Sequence, residues 1–108
     1  MGGMFHSCFS LKELNINNFN TDNVTDMGYM FISCSSLSKL NADNFNTKNV
    51  TDVNAMFAFC ESLKELNLNN FNTNNVTDMR NMFYGCPNKL IMKIKSQYKN
   101  LRKEAFKQ

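Results

Sequence analysis

Apolar residues along this chain return in the same order every 26 positions. Met-Phe pairs stand at Met4-Phe5, Met30-Phe31, Met56-Phe57 and Met82-Phe83, and a cysteine follows each Phe by three, at Cys8, Cys34, Cys60 and Cys86. Leu11, Leu37 and Leu63 come next, followed by Leu14, Leu40 and Leu66, and by Ile16, Ala42 and Leu68. Phe19, Phe45 and Phe71, then Val24, Val50 and Val76, then Met27, Val53 and Met79 complete the unit. The L-x-x-L-x-apolar segment predicts a short strand whose last two apolar residues point to one side. V-x-x-M predicts a second, shorter extended piece. M-x-x-M-F-x-x-C places apolar residues three, four and seven apart, which suits one or two helical turns. Asp26, Asp52 and Asp78 precede those turns, where a carboxylate can cap free N–H groups.

One such unit cannot bury its apolar face alone. Stacked units can, with strand beside strand at about 4.8 Å and like residues in columns. The string "NNFNTDNVTDM" at Asn17–Met27 returns as "DNFNTKNVTDV" and "NNFNTNNVTDM". It predicts a corner in which Phe fills the interior and polar residues make the turn. Nineteen of the 108 residues are Asn. Asn is a poor helix and strand former because its amide competes for backbone groups, so a chain this rich in it needs many turns. The expected fold is therefore an α/β repeat, a short solenoid of about three and a half coils. Two parts are expected: residues 1–88 as the repeats, with a truncated first unit, and residues 89–108 as a C-terminal strand and a basic amphipathic capping helix. The strand would be "LIMKI" at Leu90–Ile94. The helix would run over Ser96–Lys107 with Ser96 as N-cap, and Tyr98, Leu101, Ala105 and Phe106 would form its apolar stripe.

The segment "CSSLSKLNADNFNTKNVTDVNAMFAFC" resembles the repeat of the BspA-like leucine-rich-repeat surface proteins, whose relatives include repeats of mycoplasma surface lipoproteins. The resemblance covers Met1 to about Cys86. It implies a right-handed leucine-rich-repeat solenoid, a cell-surface or secreted location, and a role in adhesion or host-protein binding.

Charge changes the picture only at the C-terminus. The chain is formally +3, but residues 89–108 hold seven basic groups and one acid, against five basic and eight acidic groups elsewhere. The basic character belongs to the tail, which reads as a cap rather than a nucleic-acid or membrane contact. No apolar run is long enough to span a membrane, and Met1–Ser10 has neither the basic start nor the apolar stretch of a signal peptide. The chain starts inside a repeat unit with no polar N-terminal cap, which predicts self-association through that end.

Candidate chemistry is sparse. Four cysteines at 26-residue steps occupy one column, and a straight column does not converge on a metal ion, so buried free thiols are expected rather than a metal site or disulfides. His6 is the only histidine, and its equivalents are Ile32, Ala58 and Tyr84, so it reads as an exposed turn residue. Asn23, Asn49 and Asn75 begin N-V-T sequons, which follow from the repeat itself. No cofactor and no enzymatic activity are expected, because no nucleophile, base and acid set can be assembled. What varies is the polar strand face: Lys12, Glu13, Asn15, Asn17; Ser38, Lys39, Asn41, Asp43; and Lys64, Glu65, Asn67, Asn69. Those residues are the candidate face for an unidentified protein ligand, such as a host surface protein.

Overall fold

A computed structural model of the chain describes residues 13–15 (by backbone), 21–42 and 45–106. Three parallel strands, β1 Glu13–Asn15, β2 Lys39–Asn41 and β3 Glu65–Asn67, form one sheet in the order β1-β2-β3. Their register matches the sequence period: Leu14 faces Leu40, and Leu40 faces Leu66. A second set of parallel bridges joins Asp26 to Asp52 and Asp52 to Asp78. Leu40, Ala42, Leu66 and Leu68 are buried, as the alternation along each strand requires.

The leucine-rich-repeat solenoid expected from the sequence is not the architecture found. The body is compact, 29 × 29 × 19 Å with a radius of gyration of 12.3 Å, and has no long axis along which units are strung. The segments expected as helical turns contain no helix. They run as successive β-turns. Met30 N–H donates to the Met27 carbonyl, Ile32 to Tyr29 and Cys34 to Phe31. The alternate N–H groups of Met27, Tyr29, Phe31 and Ser33 leave the segment and donate to Asp52, Asn54, Met56 and Ala58 at 2.8–2.9 Å. Val53, Ala55, Phe57 and Phe59 repeat the pattern toward Asp78, Arg80, Met82 and Tyr84. An α-helix would turn every N–H back on its own segment. Here half of them bind the neighbouring layer, and the chain enters the left-handed region at Tyr29, Ser33, Ala55, Phe59 and Asn81 to do so. The apolar spacing was a true guide to burial, since Met27, Met30, Phe31 and Cys34 are all buried. A one-sided series of turns produces the same spacing as a helix.

The three aspartates consequently cap turns, not helices. Asp26 Oδ1 accepts the Gly28 N–H at 2.7 Å, Asp52 Oδ1 accepts Asn54 at 2.8 Å, and Asp78 Oδ1 accepts Arg80 at 3.1 Å. These are local carboxylate-to-backbone turns of the kind Asp favours.

The C-terminal part also departs from expectation. Leu90–Ile94 is not a strand; it lies in α1, Asn88–Gln97. A strand would place Leu90, Met92 and Ile94 on one side, but Met92 is 71% exposed while Leu90, Ile91 and Ile94 are buried. That is helical spacing. Pro87 precedes α1, where a missing N–H costs nothing. Ser96 lies inside α1 and bonds back to the Lys93 carbonyl, so it is not an N-cap. The expected Ser96–Lys107 helix is replaced by the end of α1, a turn and bend over residues 99–101, and a 3-10 turn at Lys103–Phe106. This chain lies along the last layer. Glu104 and Ala105 carbonyls accept the N–H groups of Asn81 and Phe83. The Arg102 guanidinium binds the Val76 carbonyl at 3.3 Å, and Asn100 binds the Thr73 hydroxyl at 3.0 Å. The tail thus satisfies polar groups that a further layer would otherwise satisfy.

The core is organised in columns. Phe31, Phe57, Phe83 and Phe106 stack with ring centroids 5.4–5.5 Å apart and planes within 10°. Phe45 and Phe71 are buried at the corners. The buried Thr21 and Thr47 explain the constancy of the N-T step. Thr47 Oγ1 donates to the Asn72 carbonyl at 3.2 Å and accepts the Asn72 N–H at 2.6 Å, and Thr21 does the same to Asn46. Asn49 and Asn75 each donate a side-chain amide to a backbone carbonyl of the preceding layer.

Two substitutions test these columns. Phe57→Ala removes a ring stacked on both faces and is expected to cost about 3–5 kcal/mol. Thr47→Val keeps the shape but strands a backbone donor and acceptor, at about 1–3 kcal/mol. Urea denaturation of each variant measures both, and an unchanged midpoint for either contradicts its column.

Candidate functional site

The strand face expected to meet a partner is only partly open. Lys39, Asn41, Lys64 and Glu65 are exposed on β2, on β3 and just before β3. Lys39 Nζ lies 3.9 Å from Glu65 Oε2, an exposed pair that contributes little to stability. These side chains line one wall of a 420 Å³ cleft, and Leu90, Lys93, Ile94 and Gln97 of α1 supply the other. The sequence placed a strand there, so it did not foresee this wall.

Ser38, Asn67 and Asn69 serve the fold itself. The Ser38 carbonyl accepts the N–H groups of Lys64 and Glu65 at 2.9 and 3.1 Å. Asn67 is half-buried, and its Oδ1 accepts the Asn69 N–H at 3.0 Å. Asn69 Oδ1 accepts the Tyr98 hydroxyl proton at 3.1 Å, and the same hydroxyl accepts the Leu68 N–H. Lys12, Asn17 and Asp43 lie outside the described residues, as do His6, Cys8, Phe19 and the chain start on which the expected self-association rests. Glu13 and Asn15 are placed by the backbone of β1 alone, opposite Lys39 and Asn41.

The described thiols sit in the interior. Cys34, Cys60 and Cys86 are buried and not joined in disulfides. Cys60 Sγ donates to the Phe31 carbonyl at 3.2 Å and Cys86 Sγ to Phe57 at 3.1 Å. Burial pushes the Cys86 thiol up to about 12. Burial also raises Cys60, and the neighbouring Cys86 and Cys34 thiols add to the effect. Such thiols stay protonated at neutral pH and are poor nucleophiles. Among the described residues, no group of three or more His, Cys, Asp or Glu side chains is placed to hold a metal ion, and no helix is long and apolar enough to cross a membrane.

A second surface was missed by sequence reasoning. Tyr29, Phe59 and Tyr84 are 48%, 43% and 38% exposed and line a 520 Å³ groove on the turn segments, together with Asn54, Arg80 and Asn81. The signal was in the sequence. Positions equivalent to Tyr29 hold Ala55 and Asn81, and those equivalent to Phe59 hold Ser33 and Gly85. Large rings at columns otherwise held by small residues are not demanded by the stacking. Gly85 matters here, because a Cβ at that position would lie 2.8 Å from the Phe59 ring. Arg80 holds Asp78 in a two-pronged pair at 3.0 and 2.8 Å, chiefly through which the Asp78 carboxyl is kept below the usual carboxylate range.

Short parallel strands in 26-residue register, joined by turn segments whose backbone bonds run between layers, define a small sheet-and-turn domain with polar and aromatic surfaces. Residues 1–103 match the model of the family described as Mycoplasma protein of unknown function, DUF285, and the chain belongs to that family. No curated protein and no solved structure matches it.

Thiol labelling tests the interior placement. Cys34, Cys60 and Cys86 are expected to react slowly with a thiol reagent in the native protein and rapidly in denaturant, read by peptide mass spectrometry. Fast native labelling of Cys60, which lies between two layers, contradicts it.

Proposed function

We propose that the chain is a non-enzymatic surface module that mediates protein–protein contact or adhesion, working at the cell surface or in secreted form. The observation that carries this reading is the exposed polar strand face: Lys39, Asn41, Lys64 and Glu65 stand side by side at the sheet, over a core whose columns are committed to stacking. A fixed core with an exposed polar face is a scaffold on which recognition residues can vary at little cost to the fold. The resemblance of the repeat string to BspA-like surface proteins supports the location and the class of partner, a host surface protein. The buried, protonated thiols offer no nucleophile, which favours binding over catalysis.

Beads coated with the folded chain and applied to cultured host cells test the proposal. The fourfold variant Lys39→Ala, Asn41→Ala, Lys64→Ala, Glu65→Ala is expected to fold with a near-unchanged melting temperature, because all four side chains are exposed. It is expected to lose most of the adhesion. Full adhesion by that variant, or none by the parent chain, overturns the strand face as the contact surface and leaves a structural spacer.

A further inference from the structure

We propose that the groove on the turn segments is a binding site for a neutral oligosaccharide. Its three rings come from three successive layers, Tyr29 from the first, Phe59 from the second and Tyr84 from the third. Phe59 and Tyr84 meet edge to face, with centroids 5.4 Å apart and planes at 81°. The groove therefore presents differently tilted aromatic surfaces within one open depression. Exposed apolar groups gathered this way mark interaction sites.

Backbone conformation strengthens the case. Tyr29 has φ 60° and Phe59 has φ 61°. Bulky side chains are outliers in the left-handed region, where Gly or Asn fits with less strain. Other layers carry the smaller Ala55 and Asn81 in the Tyr29 column and Ser33 and Gly85 in the Phe59 column, all at positive φ. Two aromatic residues thus occupy the positions least suited to them, remain exposed by close to half, and face one groove. The turn ladder demands the left-handed backbone at these columns, but it does not demand large rings there.

Chemistry selects the occupant. Among the described residues, Arg80 is the only charged side chain lining the groove, and Asp78 pairs with it. The ligand is accordingly uncharged. The backbone N–H groups of Tyr29, Ala55, Phe59 and Tyr84 are all spent in bonds between or within layers, so an extended peptide cannot add as a strand. What remains are aromatic faces flanked by planar polar groups. Asn54 donates to the Tyr29 hydroxyl at 3.4 Å, and the Asn81 amide has no bonding partner among the described residues. Amides and a guanidinium offer adjacent donors and acceptors, which match paired hydroxyls on a sugar ring. Aromatic faces match the ring's apolar C–H face. The groove shares no lining residue with the cleft beside α1, so this site is separate from the strand face.

The test uses the full chain and four neutral probes: maltohexaose, chitohexaose, laminarihexaose and lacto-N-tetraose. Saturation-transfer NMR is expected to detect binding of at least one at millimolar concentration, with transfer onto its ring C–H protons. Tyr29→Asn and Phe59→Asn suit the left-handed backbone, and each is expected to weaken binding about tenfold or more. Both variants are expected to keep the parent's dispersion of amide signals, which separates loss of a site from loss of the fold. Three results each overturn the proposal: none of the four sugars binds, binding persists in both variants, or a proline-rich peptide binds the groove while the sugars do not.

Discussion

The structure depends on how the turn segments spend their backbone N–H groups. Alternate donors turn back three residues, and the others cross to the next layer at 2.7–2.9 Å. Each layer is therefore incomplete by itself. It needs carbonyls at fixed places on its neighbour, and this demand holds the 26-residue register as firmly as the short strands do. Strands of three residues would be marginal in isolation. Here they are one part of a continuous set of parallel bonds that includes the aspartate bridges and the turn ladder.

The side chains follow from that register. Once residues 26 apart lie side by side, like meets like, and only side chains that tolerate their own kind can fill the interior. Phenylalanine does so by offset stacking, which adds about 0.5–1.5 kcal/mol per pair beyond burial. Threonine does so by giving and taking one bond with the same Asn backbone. Cysteine does so by donating its weak S–H to a carbonyl one layer away, with burial keeping the thiol protonated. The same reasoning identifies what is not structural. Lys39, Lys64 and Glu65 on one surface and Tyr29, Phe59 and Tyr84 on another differ between layers, and the stacking does not require them; Asn41, by contrast, recurs as Asn15 and Asn67.

Termination is the remaining constraint. The last layer presents the N–H groups of Asn81 and Phe83 with no further layer to receive them. The chain meets this demand with two unlike devices. α1 lays Leu90, Ile91 and Ile94 against the core beside β3, and the segment from Tyr98 to Phe106 supplies carbonyls, a guanidinium and a stacking ring. Phe106 continues the column of Phe31, Phe57 and Phe83 although it lies 23 residues beyond Phe83 rather than 26.

Sequence alone determined the period, the strand register and the identity of the buried columns, because a repeated apolar pattern over 26 residues has one economical reading: residues at equal positions are neighbours. The 26-residue spacing of the cysteines likewise pointed to free, buried thiols, and Cys34, Cys60 and Cys86 are both. Sequence could not separate a helical turn from a series of β-turns in M-x-x-M-F-x-x-C, because both bury positions three and four apart; the choice is made by where the alternate N–H groups go, and their acceptors lie 25 residues away. For the same reason it misread Leu90–Ile94. An apolar run of five fits a strand or a helix, and only the packing of Ile91 inward and Met92 outward decided for the helix. The clustering of Tyr29, Phe59 and Tyr84 into one groove was likewise a tertiary outcome: they stand 30 and 25 residues apart, and parallel layers brought them together.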